Sequence, residues 1–405
     1  MDIINLTKDL TTKNRVVFNP GLTHYKQDLY ILSYRIYKDM KYLNIKEYPT
    51  WKEKGHPWKS NWQGINKVGI SIVKLPKNNI KKYKIIHNQV LDIEEKPANI
   101  ISGPEDMRLF KDSNNDIYGL FNMANSESLN FQKSKINRIK GDTRTMYTVK
   151  IIINPKTFYI KSSNLKPLCL NHSTGIEKNW SPFVIKNKDY VTNFDFNKSS
   201  IHHIYTVKNY SSGICKNNFI KNNVNFFEEI KKKFPTIRFS GGSQSISYNQ
   251  TQMISIGHIV ITIQKQNGSG VSKKKLKVYQ SKPKKKIKIK EIKYYYMFFY
   301  TFSKNKPFNI KRISNPFQPY TKENYGIFFP TGIVKKGSRF YISYGESDNY
   351  VKIFDIKKKD IEKMLKNIKK ISLDEYNFVR FLKNGKMKEN IILKDNNLKT
   401  INYKF

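Results

Sequence analysis

Alternation of apolar and polar side chains dominates this chain, and one arrangement recurs: a polar turn, then aliphatic and aromatic residues interleaved with polar ones. It begins at Asp28 (Asp-Leu-Tyr-Ile-Leu-Ser-Tyr-Arg), Asp116 (Asp-Ile-Tyr-Gly-Leu-Phe), Asp189 (Asp-Tyr-Val-Thr-Asn-Phe), Gln252 (Gln-Met-Ile-Ser-Ile-Gly-His) and Ser338 (Ser-Arg-Phe-Tyr-Ile-Ser-Tyr-Gly). The intervals of 88, 73, 63 and 86 residues are each long enough for a four-stranded unit with one or two long loops. Five such units, in a chain dense in short Val/Ile/Tyr/Phe runs, predict an all-β fold closed into a five-bladed β-propeller rather than a sandwich. The tail departs from this period. From Asp360 the apolar positions Ile361, Met364, Leu365, Ile368 and Ile371 follow helical spacing, which predicts an amphipathic helix. The expected division is therefore a propeller over 1–356 and a C-terminal helical appendage over 357–405, its helix and tail packed on the propeller.

Composition refines this picture. A chain of 405 residues, 38% hydrophobic and 14% aromatic, can bury a sizeable core. Its net charge of +44, from 75 basic and 31 acidic residues, would ordinarily point to a polyanionic partner. Most of the excess is lysine, accompanied by abundant asparagine and isoleucine, as expected when an A/T-rich genome biases codon choice. Spread lysine of that origin reads as solvated surface, so nucleic acid is not the expected partner. Clustered lysines occur at 273–275 and 284–290, after Asn267-Gly268-Ser269-Gly270, and read as a flexible insertion between strands.

Cys169 and Cys215 lie far apart with no metal-ligand spacing around either, so reduced thiols are expected and no metal site is indicated. Residues 1–10 lack a basic stretch followed by an apolar one, and no run is long and apolar enough to span a membrane. These features fit a cytoplasmic protein of an A/T-rich microbe, or of a host cytoplasm if the gene is viral.

Chemistry concentrates in Gly103-Pro104-Glu105-Asp106-Met107-Arg108, read here as a Gly-Pro turn that projects two carboxylates and an arginine from a loop between apolar runs. Asp106 is the leading catalytic candidate. Every other unit carries its own polar loop: Phe18-Asn19-Pro20-Gly21 with a strand ending at Arg35, Lys178-Asn179-Trp180-Ser181-Pro182-Phe183, Arg238-Phe239-Ser240-Gly241-Gly242 with Gly257-His258, and Phe329-Pro330-Thr331-Gly332 with Tyr344-Gly345-Glu346-Ser347-Asp348. Equivalent loops of a propeller converge at one end of its channel, so these residues would share one pocket.

In this order, over residues 15 to 356, the motifs resemble those of the five-bladed propeller enzymes of glycoside hydrolase family 130, the β-mannoside phosphorylases with related hydrolases and mannosyltransferases. Two positions depart from the family pattern: Met107 stands where a proline is usual, and Ser243-Gln244 where Thr/Pro-Pro is usual. The resemblance implies a mannosyl-type carbohydrate substrate, with Asp106 as general acid acting by relay through a sugar hydroxyl. It implies no cofactor, only inorganic phosphate or a sugar-phosphate donor as co-substrate.

An inverting transfer needs an acid on one face of the sugar and a nucleophile on the other, and a phosphate nucleophile calls for a cationic wall. Lys178, Arg238 and His258 are the candidates for that wall. Asn19, Arg35, Glu105, Arg108, Trp180, Glu346 and Asp348 complete the expected substrate-binding set, although Trp180 and Phe183 also suit a core between sheets. Trp51, Trp58 and Trp62, beside His56-Pro57, are the better sugar-stacking candidates, and His202-His203 reads as structural. Two alternatives stay open. A hydrolase would use Glu346 or Asp348 as a second carboxylate, and a noncatalytic propeller would bind glycan or polyanion through a decayed site marked by Met107 and Ser243.

Overall fold

A computed structural model describes residues 2–11, 16–37, 66–77, 79–93, 100–125, 144–170, 178–193, 202–220, 225–233, 237–266, 289–319 and 327–371, with short strands at 378–381, 387–391, 393–394 and 397–398. The clustered lysines at 273–275 and 284–288 and the three tryptophans of the first unit fall outside these residues.

The chain opens with β1 (Ile3–Asn5). β2 (Val16–Lys26), β3 (Leu29–Tyr37), β4 (Lys67–Lys74) and β5 (Lys84–Leu91) pair antiparallel in chain order. So do β6 (Ile100–Lys111), β7 (Ile117–Asn125), β8 (Thr145–Ile153) and β9 (Ile160–Pro167). The same meander repeats in β10 (Ser181–Ile185), β11 (Lys188–Asn193), β12 (His202–Asn209) and β13 (Ile214–Ile220). A larger sheet follows, built on β14 (Ile237–Ser240), β15 (Ile246–Ser247), β16 (Gln252–Gln266), β17 (Ile289–Ser303), β18 (Ile310–Ser314) and β19 (Phe317–Gln318). β20 (Phe328–Lys336), β21 (Arg339–Glu346) and β22 (Tyr350–Lys357) form the last meander, and β1 adds to β22 as its fourth strand. Near the C-terminus, β23 (Leu365–Asn367), β24 (Phe378–Phe381) and β25 (Met387–Ile391) enlarge the fourth-unit sheet to nine strands, while β26 (Leu393–Lys394) and β27 (Asn397–Leu398) pair only with each other.

The protein is thus all-β with its sheets in a β-propeller arrangement. Four sheets are four-stranded meanders, and the unit from residue 237 onward departs from that pattern with nine strands. Apolar clusters fill the seams between consecutive sheets. Leu32 and Tyr341 meet at the seam of the first and last meanders, Ile70 and Leu109 at the next, and Phe110 and Tyr205 at the one after. Phe183 and Phe298 join the third meander to the nine-stranded sheet, and Ile256 and Ile342 join that sheet to the last meander. The leading strands β2, β6 and β20 touch one another at the centre.

Two expectations are corrected, and one element is added. The predicted helix stops early: Lys358–Met364 is helical, but Leu365–Asn367 is β23, pairing Ser314↔Leu365 along β18. An open sheet edge offers those backbone groups partners that outweigh a marginal helical period. A helix that the periodicity did not announce, Asn225–Lys233, buries Phe226, Phe227 and Ile230 against the third-to-fourth seam.

The cysteines are also not reduced thiols. Cys169, just beyond β9, is disulfide-bonded to Cys215 on β13, with their Cα atoms 5.0 Å apart. The Cys169 N–H donates to the Gly213 carbonyl, so the exit of one meander docks on the β12–β13 hairpin of the next and brings together thiols that sequence spacing gave no reason to pair. The expectation of a reducing, cytoplasmic setting loses this support. In the chain-entropy account a bridge across 46 residues stabilises by about 4 kcal/mol. Reduction, or Cys215→Ser, is therefore expected to lower the melting temperature by about 5 °C. Identical melts with and without reductant, together with two free thiols by intact mass, would remove the disulfide from the folded protein.

Candidate functional site

The leading strands β2, β6 and β20 share a local defect that creates the site. Each breaks register with its neighbour: at Phe18/Gly21 in β2, at Ser102/Glu105 and Glu105/Arg108 in β6, and at Pro330/Gly332 in β20. The Asn19-Pro20, Glu105-Asp106-Met107 and Pro330-Thr331 motifs occupy these bulges. Asn19 and Asp106 both adopt left-handed backbone, with φ of 49° and 55°. Residues 103–108 are thus part of a bulged central strand, not a loop as their composition suggested. A bulge tolerates Gly, Pro and adjacent charges and re-aims the side chains it carries.

Asp106 is half-buried. Its Oδ1 accepts a hydrogen bond of 2.8 Å from Asn19 Nδ2 and lies 3.7 Å from Arg35 Nη1. Glu105, one residue earlier, is buried and meets cations from three sheets. Arg35 Nη2 approaches Oε1 at 2.8 Å, Arg144 Nη1 approaches Oε2 at 2.8 Å, and Lys178 Nζ lies 4.0 Å from Oε2. Burial alone would raise this carboxyl, but the charges of Arg35, Lys178 and Arg144 outweigh it and hold Glu105 below the usual carboxylate range.

Arg108 is fully buried. Its Nε donates to the Gly242 carbonyl, Nη1 to the Asp106 carbonyl at 2.9 Å and Nη2 to Asn179 Oδ1 at 2.9 Å, while the guanidinium lies 5.9 Å from the Phe329 ring. It fastens β6 to the starts of the next two sheets, which a planar, multidonor cation does well. Its burial pulls its pKa down to about 10, so it stays charged at neutral pH.

His258 is buried between Phe329, 4.7 Å away, and Tyr295, stacked at 5.8 Å. Desolvation, with help from the Arg108 charge, lowers its pKa to about 3. It is therefore a neutral imidazole across the physiological range and adds no positive charge to an anion wall. Tyr295 is driven up to about 12 by burial and by the nearby Asp348 and Asp106 carboxylates, against the opposing effect of Arg238. Asp106, Asp348 and Arg238 thus each lie within electrostatic reach of Tyr295. Lys178 and Arg238 are the solvent-exposed cations of the set.

Other expected site residues are placed elsewhere. Trp180 is 1% exposed and stacked on Tyr205 in the second-to-third seam, so it is core and not a sugar platform. Glu346 is buried against Lys352, 2.8 Å away, which leaves it unsuited to activating water. The two departures from the family motif have structural roles. Met107 packs over Gly119 in the first-to-second seam, and its carbonyl accepts from Ser33 Oγ. Gln244 Nε2 donates to the carbonyls of Leu22 and Ile333, both at 2.8 Å, tying β2 to β20. Arg144 and Tyr295 join the site without having been singled out from sequence, while Asn179 belongs to the polar loop of the third unit. Among the described residues, no group of three or more His, Cys, Asp or Glu side chains is placed to hold a metal ion, and no helix is long and apolar enough to cross a membrane.

Among the described residues, what remains is a partly accessible carboxylate, Asp106, beside two hydrogen-bond donors, with a second partly accessible carboxylate in Asp348, a buried arginine frame and two exposed cations. Such a set can orient a polyol, exchange a proton with it and attract an anion.

No family model matches the chain, and no curated protein matches it. Solved structures similar to it include the β-1,2-mannobiose phosphorylase of Listeria innocua, 14% identical, with 90% of this chain and 99% of that one covered and a TM-score of 0.47. They include MPT-1, a GDP-Man-dependent mannosyltransferase of Leishmania mexicana, at 12% identity, 88% and 89% coverage and a TM-score of 0.46. A structure from work on the GH130 family of mannoside phosphorylases and its glycoside hydrolases is 12% identical, with 85% of each chain covered and a TM-score of 0.48.

Proposed function

We propose that this protein is a carbohydrate-active enzyme that transfers a mannosyl-type group by inversion, with Asp106 as the general acid and Lys178 and Arg238 meeting phosphate or the phosphate of a sugar donor. In this reading the chain forms five blades, the fourth being β14, β16, β17 and β18 within the nine-stranded sheet, and residues 357–405 pack on the propeller as an appendage. The observation that carries it is the setting of Asp106, partly solvent-accessible between Asn19 and Arg35. Asp348 also keeps partial solvent access, whereas Glu105 is enclosed by Arg35, Arg144 and Lys178 and Glu346 is held by Lys352.

Transfer is favoured over hydrolysis by charge. An inverting hydrolase sets a second carboxylate about 6.5–9.5 Å from the acid to activate water. Glu346 is withdrawn from that task, leaving Asp348, which like Asp106 and Arg238 acts on Tyr295, as the remaining carboxylate for it. His258, neutral and enclosed by aromatic rings, serves as a wall and hydrogen-bonding group rather than a counterion.

The test is incubation of the purified protein with β-mannobiose and phosphate, with mannose 1-phosphate and mannose, and with GDP-mannose and a mannoside acceptor. Mannose 1-phosphate or elongated oligosaccharide is the expected product. Free mannose without phosphate dependence would move the assignment to a hydrolase using Asp348. Absence of turnover with every donor would leave glycan binding as the activity.

A further inference from the structure

Glu105 and Asp106 are consecutive, and in a regular strand they would point to opposite faces of the sheet. Here both reach the same guanidinium: Arg35 Nη2 is 2.8 Å from Glu105 and Arg35 Nη1 is 3.7 Å from Asp106. The bulge in β6 and the left-handed backbone of Asp106 make this possible. The sequence reading placed Glu105 among the substrate-binding residues, but its side chain is only 4% exposed and both carboxylate oxygens already face cations.

Resting on the transfer reading above, we infer that Glu105 is a positioning residue, which holds Arg35 beside Asp106 and offsets the surrounding positive charge so that Asp106 can carry the proton it must deliver. Three elements converge on Glu105. Arg35 comes from β3, Arg144 from the residue before β8, and Lys178 from the segment before β10. Arg144 is itself fixed, since its Nη1 also donates to Asn122 Oδ1 at 3.1 Å, and Asn122 Nδ2 returns a bond to the Glu105 carbonyl.

Every element around Asp106 enters the charge balance. β3 presents Arg35, and β2 presents the uncharged amide of Asn19. Its own strand β6 presents Glu105 and Arg108. β17 presents Tyr295, which also senses Arg238 of β14 and Asp348 of the turn after β21. His258 of β16 is neutral. Among these, Glu105 is the negative charge that shares Arg35 with Asp106. Without it, Arg35, Arg144 and Lys178 would act on Asp106 uncompensated and favour its ionised form.

The test compares wild type with Glu105→Gln, Glu105→Asp and Lys178→Met. One readout needs no turnover: titration of the Asp106 carboxyl carbon by NMR, its signal assigned by loss in Asp106→Asn. The second is the alkaline limb of the pH profile of kcat/KM. Glu105→Gln is expected to move both to lower pH by about one unit. Lys178→Met, at the exposed rim of the cluster, should move both the other way and serves if the buried Gln variant does not fold. Glu105→Asp keeps the charge but shortens the reach to Arg35, so it should hold the titration midpoint near wild type while lowering kcat more than it raises KM. Unchanged midpoints in Glu105→Gln and Lys178→Met, or a loss confined to KM in Glu105→Asp, would overturn the assignment. If wild type turns over none of the mannosyl donors, the transfer reading fails, while the NMR titration still decides the role of Glu105.

Discussion

Asp106→Asn is expected to lower turnover by about 10²–10⁴-fold, the range for losing a positioned general acid, while leaving the fold intact. The geometry separates the two effects. The carbonyl oxygen of the new amide can still accept from Asn19 Nδ2, which now bonds Oδ1 at 2.8 Å. Arg35 keeps its closer partner Glu105, so no buried cation is left unpaired. A lost ion-pair contact at 3.7 Å on a half-buried carboxylate amounts to about 1 kcal/mol or less. The melting temperature should therefore shift by no more than about 1–2 °C. Steady-state kinetics beside a thermal melt checks both halves. A large drop in melting temperature accompanying the lost activity would make Asp106 a structural ion-pair partner and remove the main support for an enzyme.

The alternating pattern disclosed the meanders because β-branched and aromatic residues at every second position leave few other ways to bury an apolar face. It failed where a local signal acquires meaning only from distant chain. Residues 103–108 contain Gly, Pro, Glu and Asp, all depleted from strands, and read as a loop until β7 is seen to pair around them as a bulge. Leu365 fits either a helical or a strand period, and only the edge of β18 decides between them. Cys169 and Cys215 carried no pairing signal, since their proximity arises from two meanders docking.

The site was legible to a similar depth. Asn19, Arg35 and Asp106 were found by the order of their motifs, and the structure brings them together. Trp180 stood both in the substrate-binding set and as a core candidate, because a tryptophan beside a polar loop looks the same from sequence whether it lines a pocket or a seam; its burial on Tyr205 fits the core reading. Glu346 could have been judged better: in the β21–β22 hairpin it lies opposite Tyr350, which puts Lys352 on the diagonal, within reach of a long side chain. Arg144 had a different available signal. The chain has 66 lysines and only nine arginines, and Arg35, Arg108, Arg144 and Arg238 all belong to this one site. A sequence that uses lysine wherever a plain positive charge suffices keeps arginine where a planar, multidonor cation is required.

Deletion of residues 1–10 is expected to prevent stable folding, the largest stability effect foreseen for so short a segment. β1 is the outer strand of the sheet formed by the last three strands of the ring, with Ile3 opposite Phe354, Ile4 opposite Ile353 and Asn5 opposite Lys352. The seal continues on both sides: Asp355 N–H donates to the Asp2 carbonyl, Leu6 N–H to the Val351 carbonyl, and Val351 N–H to Thr7 Oγ1. Ile4, Leu6 and Leu10 are buried in the same cluster as Ile36, Leu75 and Ile80 of the first meander and Ile353 of the last, so these ten residues close the ring by contact as well as by backbone pairing. Full burial of three aliphatic side chains stabilises by about 5–9 kcal/mol. A domain's whole stability is about 5–15 kcal/mol, and the deletion would also expose the edge of β22 to aggregation. Leu6→Ala gives a graded version, with an expected loss of about 2–5 kcal/mol from a fully buried position. Thermal melts and size-exclusion profiles of both variants provide the check: a monodisperse deletion variant melting with wild type would mean that the ring holds without its N-terminal strand.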